Sequence, residues 1–417
     1  MRSVQVMRKA LLGVTAMTLL SYGGEYIAFT SILAWLYLLL VGSGMPPLQA
    51  YGFGFLVSSA YLLLSGILAV PFGSLADSFG RRNLAIAGCL AASVAILALS
   101  LTGGLTNTTS VILVASVVLG LIGIGHATYT TSALAYAGDI SSAEDVGEVY
   151  GLVETAEYTM FMFGTPLGLV VAQIYGNQLT FIITGVILAL GALTAFVGMP
   201  EQAHRLPAQT AAARVSHPKR IRISLLRAAV ADHGVLLSLL SILVVSLGFT
   251  VFRIYMTQYG SAGQPAVFAG PLLVSVMAAA STGSAVPIGW FLDKTRRRTL
   301  FMAIGFLAEA MALGLIFLGP TLISLLLWSV VFGVAIMMVR VPQAVIIAER
   351  TIFENRAGAM GANHGVEHVG YGLGAFLGGL LVVSFRFTVL QTFWFFALVT
   401  LGFGIALLPL ARLGEIK

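Results

Sequence analysis

The chain has 417 residues, 58% of them hydrophobic and 9% charged, with a mean hydropathy of +0.98. Soluble domains carry about 25% charged residues, so a water-facing globule is excluded and an all-α integral membrane protein is expected. The net charge of +6 is no nucleic-acid signal, because the basic residues flank apolar runs, and the single cysteine, Cys89, excludes an intrachain disulfide.

A spanning helix needs about 20 mainly apolar residues. Twelve runs meet this, over 10–41, 49–72, 84–103, 110–137, 148–175, 179–198, 233–258, 266–290, 300–319, 321–347, 358–384 and 387–410. The first far exceeds the ~7–15-residue apolar region of a cleaved leader and lacks a clear small-residue cleavage site, so it reads as a span. Connections such as Gly42 to Pro47 and Tyr175 to Gln178 are short and rich in Gly, Pro, Asn or Ser, which keeps successive helices antiparallel. The one long connection is the basic segment 199–232. It divides the chain into a six-helix unit at 1–198 and another at 233–417. Within it, Ile221 to Arg227 reads either as a short helix on the membrane surface or as a charged tether.

Lys and Arg set the orientation. With the N-terminus in the cytoplasm, 19 of the 22 fall on the cytoplasmic side; Arg386 alone faces outward, and Arg253 and Arg340 lie within runs seven and ten. Both termini are therefore expected in the cytoplasm and the chain in the cytoplasmic membrane.

Between runs two and three lies what reads as a short charged turn, Gly73 to Asn83. Its counterpart begins at Gly289, 216 positions later: in each, Asp follows Gly by four residues (Asp77, Asp293), and a basic pair stands four and five beyond (Arg81 and Arg82, Arg297 and Arg298). Run five matches run eleven at a shift of 210, pairing Gly151 with Gly361, Glu154 with His364, Glu157 with Glu367, Gly164 with Gly374 and Gly168 with Gly378. One six-helix design is used twice.

These features resemble the major facilitator superfamily over the whole length. The loop signature G-x-L-x-D-x-x-G-R-[RK] stands at Gly73, Leu75, Asp77, Gly80, Arg81 and Arg82; the second copy keeps Gly289, Asp293, Arg297 and Arg298, with Arg296 in place of Gly. The resemblance implies the major facilitator fold: two pseudo-symmetric six-helix bundles around a central cavity, working by alternating access, usually as a monomer. It also implies that Asp77 and Arg81 lock the bundles in the outward-facing state, with Asp77 at the positive end of helix eleven near Ala357 and Gly358. Asp293 would do the same towards helix five, where Asp145 and Glu148 weaken the contact. The plainer reading is that these charges orient the helices.

An ionisable group in a span costs ~2.5–3.5 kcal/mol on insertion scales, so it marks a cavity or a function. Glu25 in run one, flanked by Tyr22 and Tyr26, is the strongest proton or cation site, since burial favours the neutral acid that a proton carrier needs. Glu154 and Glu157 share a helical face in run five, although Glu154 also reads as a terminal charge reaching water. His126 in run four reads equally as packed or functional. His364 and His368 stand one turn apart with Glu367 between them; the spacing admits a metal, but a membrane zinc site needs further ligands and fixed partners. A titrating cluster or an ion pair is expected instead, with no metal and no cofactor. Arg253 and Arg340 either neutralise a buried Glu or present charge to an anion. Glu309, on the peripheral run nine, has no evident role.

The partners expected are the bilayer, a small-molecule substrate and a coupling ion, proton or sodium. The well-kept loop signature and Gly164-Thr165-Pro166-Leu167-Gly168 resemble proton-coupled drug exporters. That motif has Gly before Pro where Thr165 stands, and the exporters' arginine, due near Leu119, is missing. Proton-coupled export of amphipathic or cationic compounds is therefore expected first, and symport of an organic anion or polar metabolite with protons second. An enzyme finds no support: there is no nucleophile elbow or phosphate loop, and the Gly-rich stretches 120–125 and 370–374 lie inside spans.

Overall fold

A computed structural model describes residues 2–101, 107–140, 146–200, 232–259, 269–316, 318, 321–350 and 353–412. All the described secondary structure is helical. The helices are α1 (Arg2–Gly42), α2 (Pro47–Phe79), α3 (Arg81–Ser100), α4 (Thr108–Ile140), α7 (His233–Tyr259), α8 (Ala269–Thr295), α9 (Arg298–Leu315), α10 (Leu322–Arg350), α11 (Phe353–Val383) and α12 (Val389–Arg412). Between α4 and α7, the segment Val146–Gly198 breaks at Gly176, where φ is +80°, into α5 (146–175) and α6 (177–198). The turn expected at Tyr175 to Gln178 thus shrinks to one residue, and the twelve expected spans are all present as helices.

The helices outrun the apolar stretches, because hydropathy marks where the membrane ends and not where the helix does. The charged segment from Gly73 is not an eleven-residue turn: α2 continues through it to Phe79, and only Gly80, at φ +91°, breaks the chain before α3 begins at Arg81. Nothing between Ser74 and Phe79 disfavours a helix, whereas Gly alone adopts positive φ at no steric cost. In the second copy α8 likewise runs to Thr295. Of the linker expected at 199–232, residues 201–231 lie outside the described residues, as do the side chains of Asp77, Asp293, Glu154 and Glu148, and Asp145.

Each half packs six helices around small side chains, as lipid-embedded bundles require. In the first half α1 lies along α5 and α6, and α4 packs on α2 and α3; in the second α11 packs on α7, and α10 on α8 and α9. The internal repeat is visible in this packing. A methyl group on Gly168 would sit 2.6 Å from the carbonyl oxygen of Ile27 on α1, and one on Gly374 would sit 2.6 Å from that of Leu247 on α7.

The halves meet along α2 with α11 and α5 with α8. Approach is closest between α2 and α11, where a methyl group on Gly66 would lie 2.5 Å from the amide nitrogen of Val369. Nearer the loop that joins α1 to α2, Tyr51 and Tyr255 bring α2 and α7 together with ring centroids 5.8 Å apart. Across α5 and α8, Ser275 donates to the carbonyl of Met162 at 2.7 Å. The seam between the halves holds most of the buried ionisable groups, Glu309 excepted.

Candidate functional site

Three polar clusters lie at this seam. The first joins α1 to α4. Glu25 is 1% exposed, and its Oε2 meets His126 Nδ1 at 2.6 Å and accepts a hydrogen bond from the Tyr129 hydroxyl. Tyr22, one turn before Glu25, sets its ring edge-on to His126 at 5.4 Å and its hydroxyl 3.3 Å from Thr130 Oγ1. Helical spacing explains the grouping: residues three and four apart share a face, so Tyr22 and Glu25 point together, as do His126, Tyr129 and Thr130.

The second cluster belongs to the other half but reaches across. Arg340 of α10 forms an ion pair with Glu367 of α11 and also donates to the hydroxyl of Tyr158 on α5. Tyr371, one turn beyond Glu367, donates to its Oε1 at 2.5 Å, and His364 Nδ1 faces its Oε2 at 3.8 Å. Arg340 is thus one of the two arginines that neutralises a carboxylate. Removing one member of a buried pair strands the other charge, at about 3–5 kcal/mol. Glu367→Ala is therefore expected to lower the melting temperature of the detergent-purified protein sharply. The double replacement Arg340→Met with Glu367→Leu should recover most of the loss; a double variant no more stable than the single would remove the ion pair from the account.

The third cluster surrounds the other arginine. Arg253 of α7 is 7% exposed, and its guanidinium carbon lies 4.3 Å from the ring centre of Phe29, 5.0 Å from that of Tyr26 and 5.0 Å from that of Phe161. Among the described residues no carboxylate stands within ion-pair distance of it. Tyr26 has a second task, since its hydroxyl donates to Glu157 Oε1 at 3.3 Å. A cation held over three aromatic faces gains about 0.5–2 kcal/mol from each well-placed ring, which offsets part of its desolvation and leaves its donors in the fork to be used.

Between these clusters lie three imidazoles. His126 from the first half stacks on His368 from the second, with centroids 4.7 Å apart, and lies 6.1 Å from His364; His364 and His368 are 4.4 Å apart. His368 Nδ1 is 2.8 Å from Ser65 Oγ on α2.

The sequence-expected residues divide accordingly. Tyr22, Tyr26, Glu25, His126, Glu157, Arg253, Arg340, His364, Glu367 and His368 all come to the seam. In the loop signature, Arg81 donates to Asp139 at the end of α4 at 2.9 Å, within its own half, and Arg82 lies over Phe196 at 4.6 Å. Gly73 and Gly289 have no described atom crowding them, and Arg297 is exposed just before α9. Glu309 stays apart: it is fully buried against Gly248 of α7, and neither carboxyl oxygen has a hydrogen-bond partner among the described residues. Tyr129, Tyr158, Tyr371, Ser65, Phe29 and Phe161 were not foreseen. Five of them stand three or four residues beyond a residue already singled out, a spacing that marks them: Phe29 after Glu25, Tyr129 after His126, Tyr158 after Glu154, Phe161 after Glu157 and Tyr371 after Glu367; Ser65 shows no such sign.

The sequence matches the profile of the Major Facilitator Superfamily over residues 14–351 and again over 272–415. Among solved structures it is similar to the nucleoside transporter NupG, at 14% identity and a TM-score of 0.69, covering 98% of this chain and 100% of that one. It is also similar to the peptide transporter POT in complex with alafosfalin, at 15% identity and a TM-score of 0.67, covering 98% of each chain. At such identities the likeness is one of fold.

Proposed function

The chain belongs to the Major Facilitator Superfamily and is a multi-pass secondary transporter, and we propose that it moves a small anionic or polar metabolite together with protons across the cytoplasmic membrane. The observation that carries this reading is Arg253. It is a buried guanidinium at the seam between the halves, stacked on rings and paired with no described carboxylate, while Arg340 already has Glu367. Guanidinium presents a planar fork that matches carboxylate or phosphate oxygens. A substrate anion completes the pairing that the protein leaves undone, at a place both halves reach.

Glu157 supplies the proton carrier in this reading, because it shares Tyr26 with Arg253. A charged Glu157 partly compensates the guanidinium; protonation removes that compensation and strengthens the hold on an anion. Proton and substrate then favour each other's binding, the condition for symport. Glu25, engaged by His126 and Tyr129, serves to hold those side chains.

Export of amphipathic cations is the second reading, favoured by the aromatic wall of Tyr26, Phe29 and Phe161. Vesicles enriched in the protein, with an acid exterior and a neutral interior, separate the two. Radiolabelled mono- and dicarboxylates, a sugar phosphate and a cationic fluorescent dye serve as probes. Accumulation of an anion that a protonophore collapses is the expected outcome. Indifference to every anion, with proton-driven movement of the dye, would replace the first reading by the second.

A further inference from the structure

His126, His364 and His368 each offer a ring nitrogen, and these nitrogens lie within 4.8 Å of one another. The Nδ1 atom of each ring already faces a partner. His126 Nδ1 is held by Glu25 at 2.6 Å, His368 Nδ1 by Ser65 at 2.8 Å, and His364 Nδ1 faces Glu367 at 3.8 Å. The Nε2 atoms remain, and those of His126 and His364 are buried with no hydrogen-bond partner among the described residues. Native interiors rarely leave such groups unmatched.

We propose that these three histidines bind one divalent transition-metal ion of the zinc class. Neutral imidazole suits zinc, copper and nickel, while the absence of oxygen donors in the triad disfavours magnesium and calcium. A carboxylate on the outer nitrogen fixes the tautomer and makes the inner nitrogen a better donor, and Glu25 stands in that position on His126. Zinc–nitrogen bonds of about 2.0–2.1 Å place tetrahedral ligand atoms roughly 3.4 Å apart. Binding therefore turns the rings out of their stack and draws them in by about an ångström. Water takes the fourth position.

The ligands come from opposite halves, His126 from α4 and the other two from α11. An ion that needs all three binds the conformation in which α4 and α11 are close and shifts the population towards it. The site is thus a clasp on the alternating motion, independent of which substrate the carrier takes.

The test uses the full chain purified through a tag without histidine and stripped with a chelator. Titration with Co2+ is expected to give one ion per chain with the visible absorption of a four-coordinate site, displaced by Zn2+. His126→Ala and His364→Ala should each weaken Zn2+ binding at least 100-fold and abolish its effect on the melting temperature. Glu25→Gln, a change in a positioning residue, should weaken binding by about 10–100-fold with the stoichiometry kept. Absence of the Co2+ band in the unaltered protein overturns the proposal whatever the variants do. So does unchanged affinity in His126→Ala, which would confine the ligands to one half. If an alanine variant fails to fold, the glutamine variant at the same position replaces it, with the same expectation.

Discussion

Arg253→Ala is expected to reduce transport of the anion at least 100-fold while leaving the melting temperature at or above that of the unaltered protein. The two halves of that statement have different physical origins. An anion received by a guanidinium gains charge-assisted hydrogen bonds worth about 1.5–3 kcal/mol, and each 1.4 kcal/mol is tenfold in affinity. Stability moves the other way, because in the absence of substrate the buried guanidinium of Arg253 has rings for neighbours and no described carboxylate. Its removal relieves a desolvation cost of several kcal/mol and forfeits the ring contacts and the partial compensation from Glu157 across Tyr26. A residue kept for structure would show loss of stability and function together. Arg253→Lys sharpens the distinction: lysine keeps the charge but not the fork, so binding should recover in part. Thermal melts in detergent and uptake in proteoliposomes check both. A large fall in melting temperature for Arg253→Ala would place the residue in the fold instead.

The overall fold was legible because the membrane imposes its own grammar. About 20 apolar residues in a row have few alternatives to a spanning helix, and the repeat of Asp77 with Arg81 at Asp293 with Arg297 exposed the duplication before any geometry was known. Helix ends were less legible, since the residues from Ser74 to Phe79 are polar enough to leave the membrane without leaving the helix. In the site, ionisable residues announced themselves by their cost. Their partners did not, because pairing depends on which faces of distant helices meet. Nothing near His364 and His368 in sequence points to His126, which arrives from the other half of the chain. Nor does anything distinguish Arg253 from Arg340 as residues; only the position of Glu367 one helix away makes one a neutralised charge and leaves the other with rings for neighbours.

The same contrast bears on coupling, and Glu157→Gln tests it. Glutamine keeps the size and an oxygen for the Tyr26 hydroxyl, which now approaches Glu157 Oε1 at 3.3 Å, but it cannot acquire charge. If Glu157 carries the coupled proton, the variant is fixed in the state that favours the anion. Affinity at pH 8 should then rise to the level the unaltered protein reaches only in acid, and its dependence on pH should flatten. The sign follows from the linkage: protonation strengthens anion binding, so in the unaltered protein affinity falls as pH rises. Couplings of this kind are typically worth 1–3 kcal/mol, or about 5–150-fold. Accumulation driven by a pH gradient should drop to background, because the variant has no proton to exchange between states. Exchange of labelled for unlabelled substrate across the same membrane requires only binding and rocking, and should survive. The two measurements together separate an uncoupled carrier from a broken one. Accumulation that persists under a pH gradient in Glu157→Gln would show that the proton travels on another group.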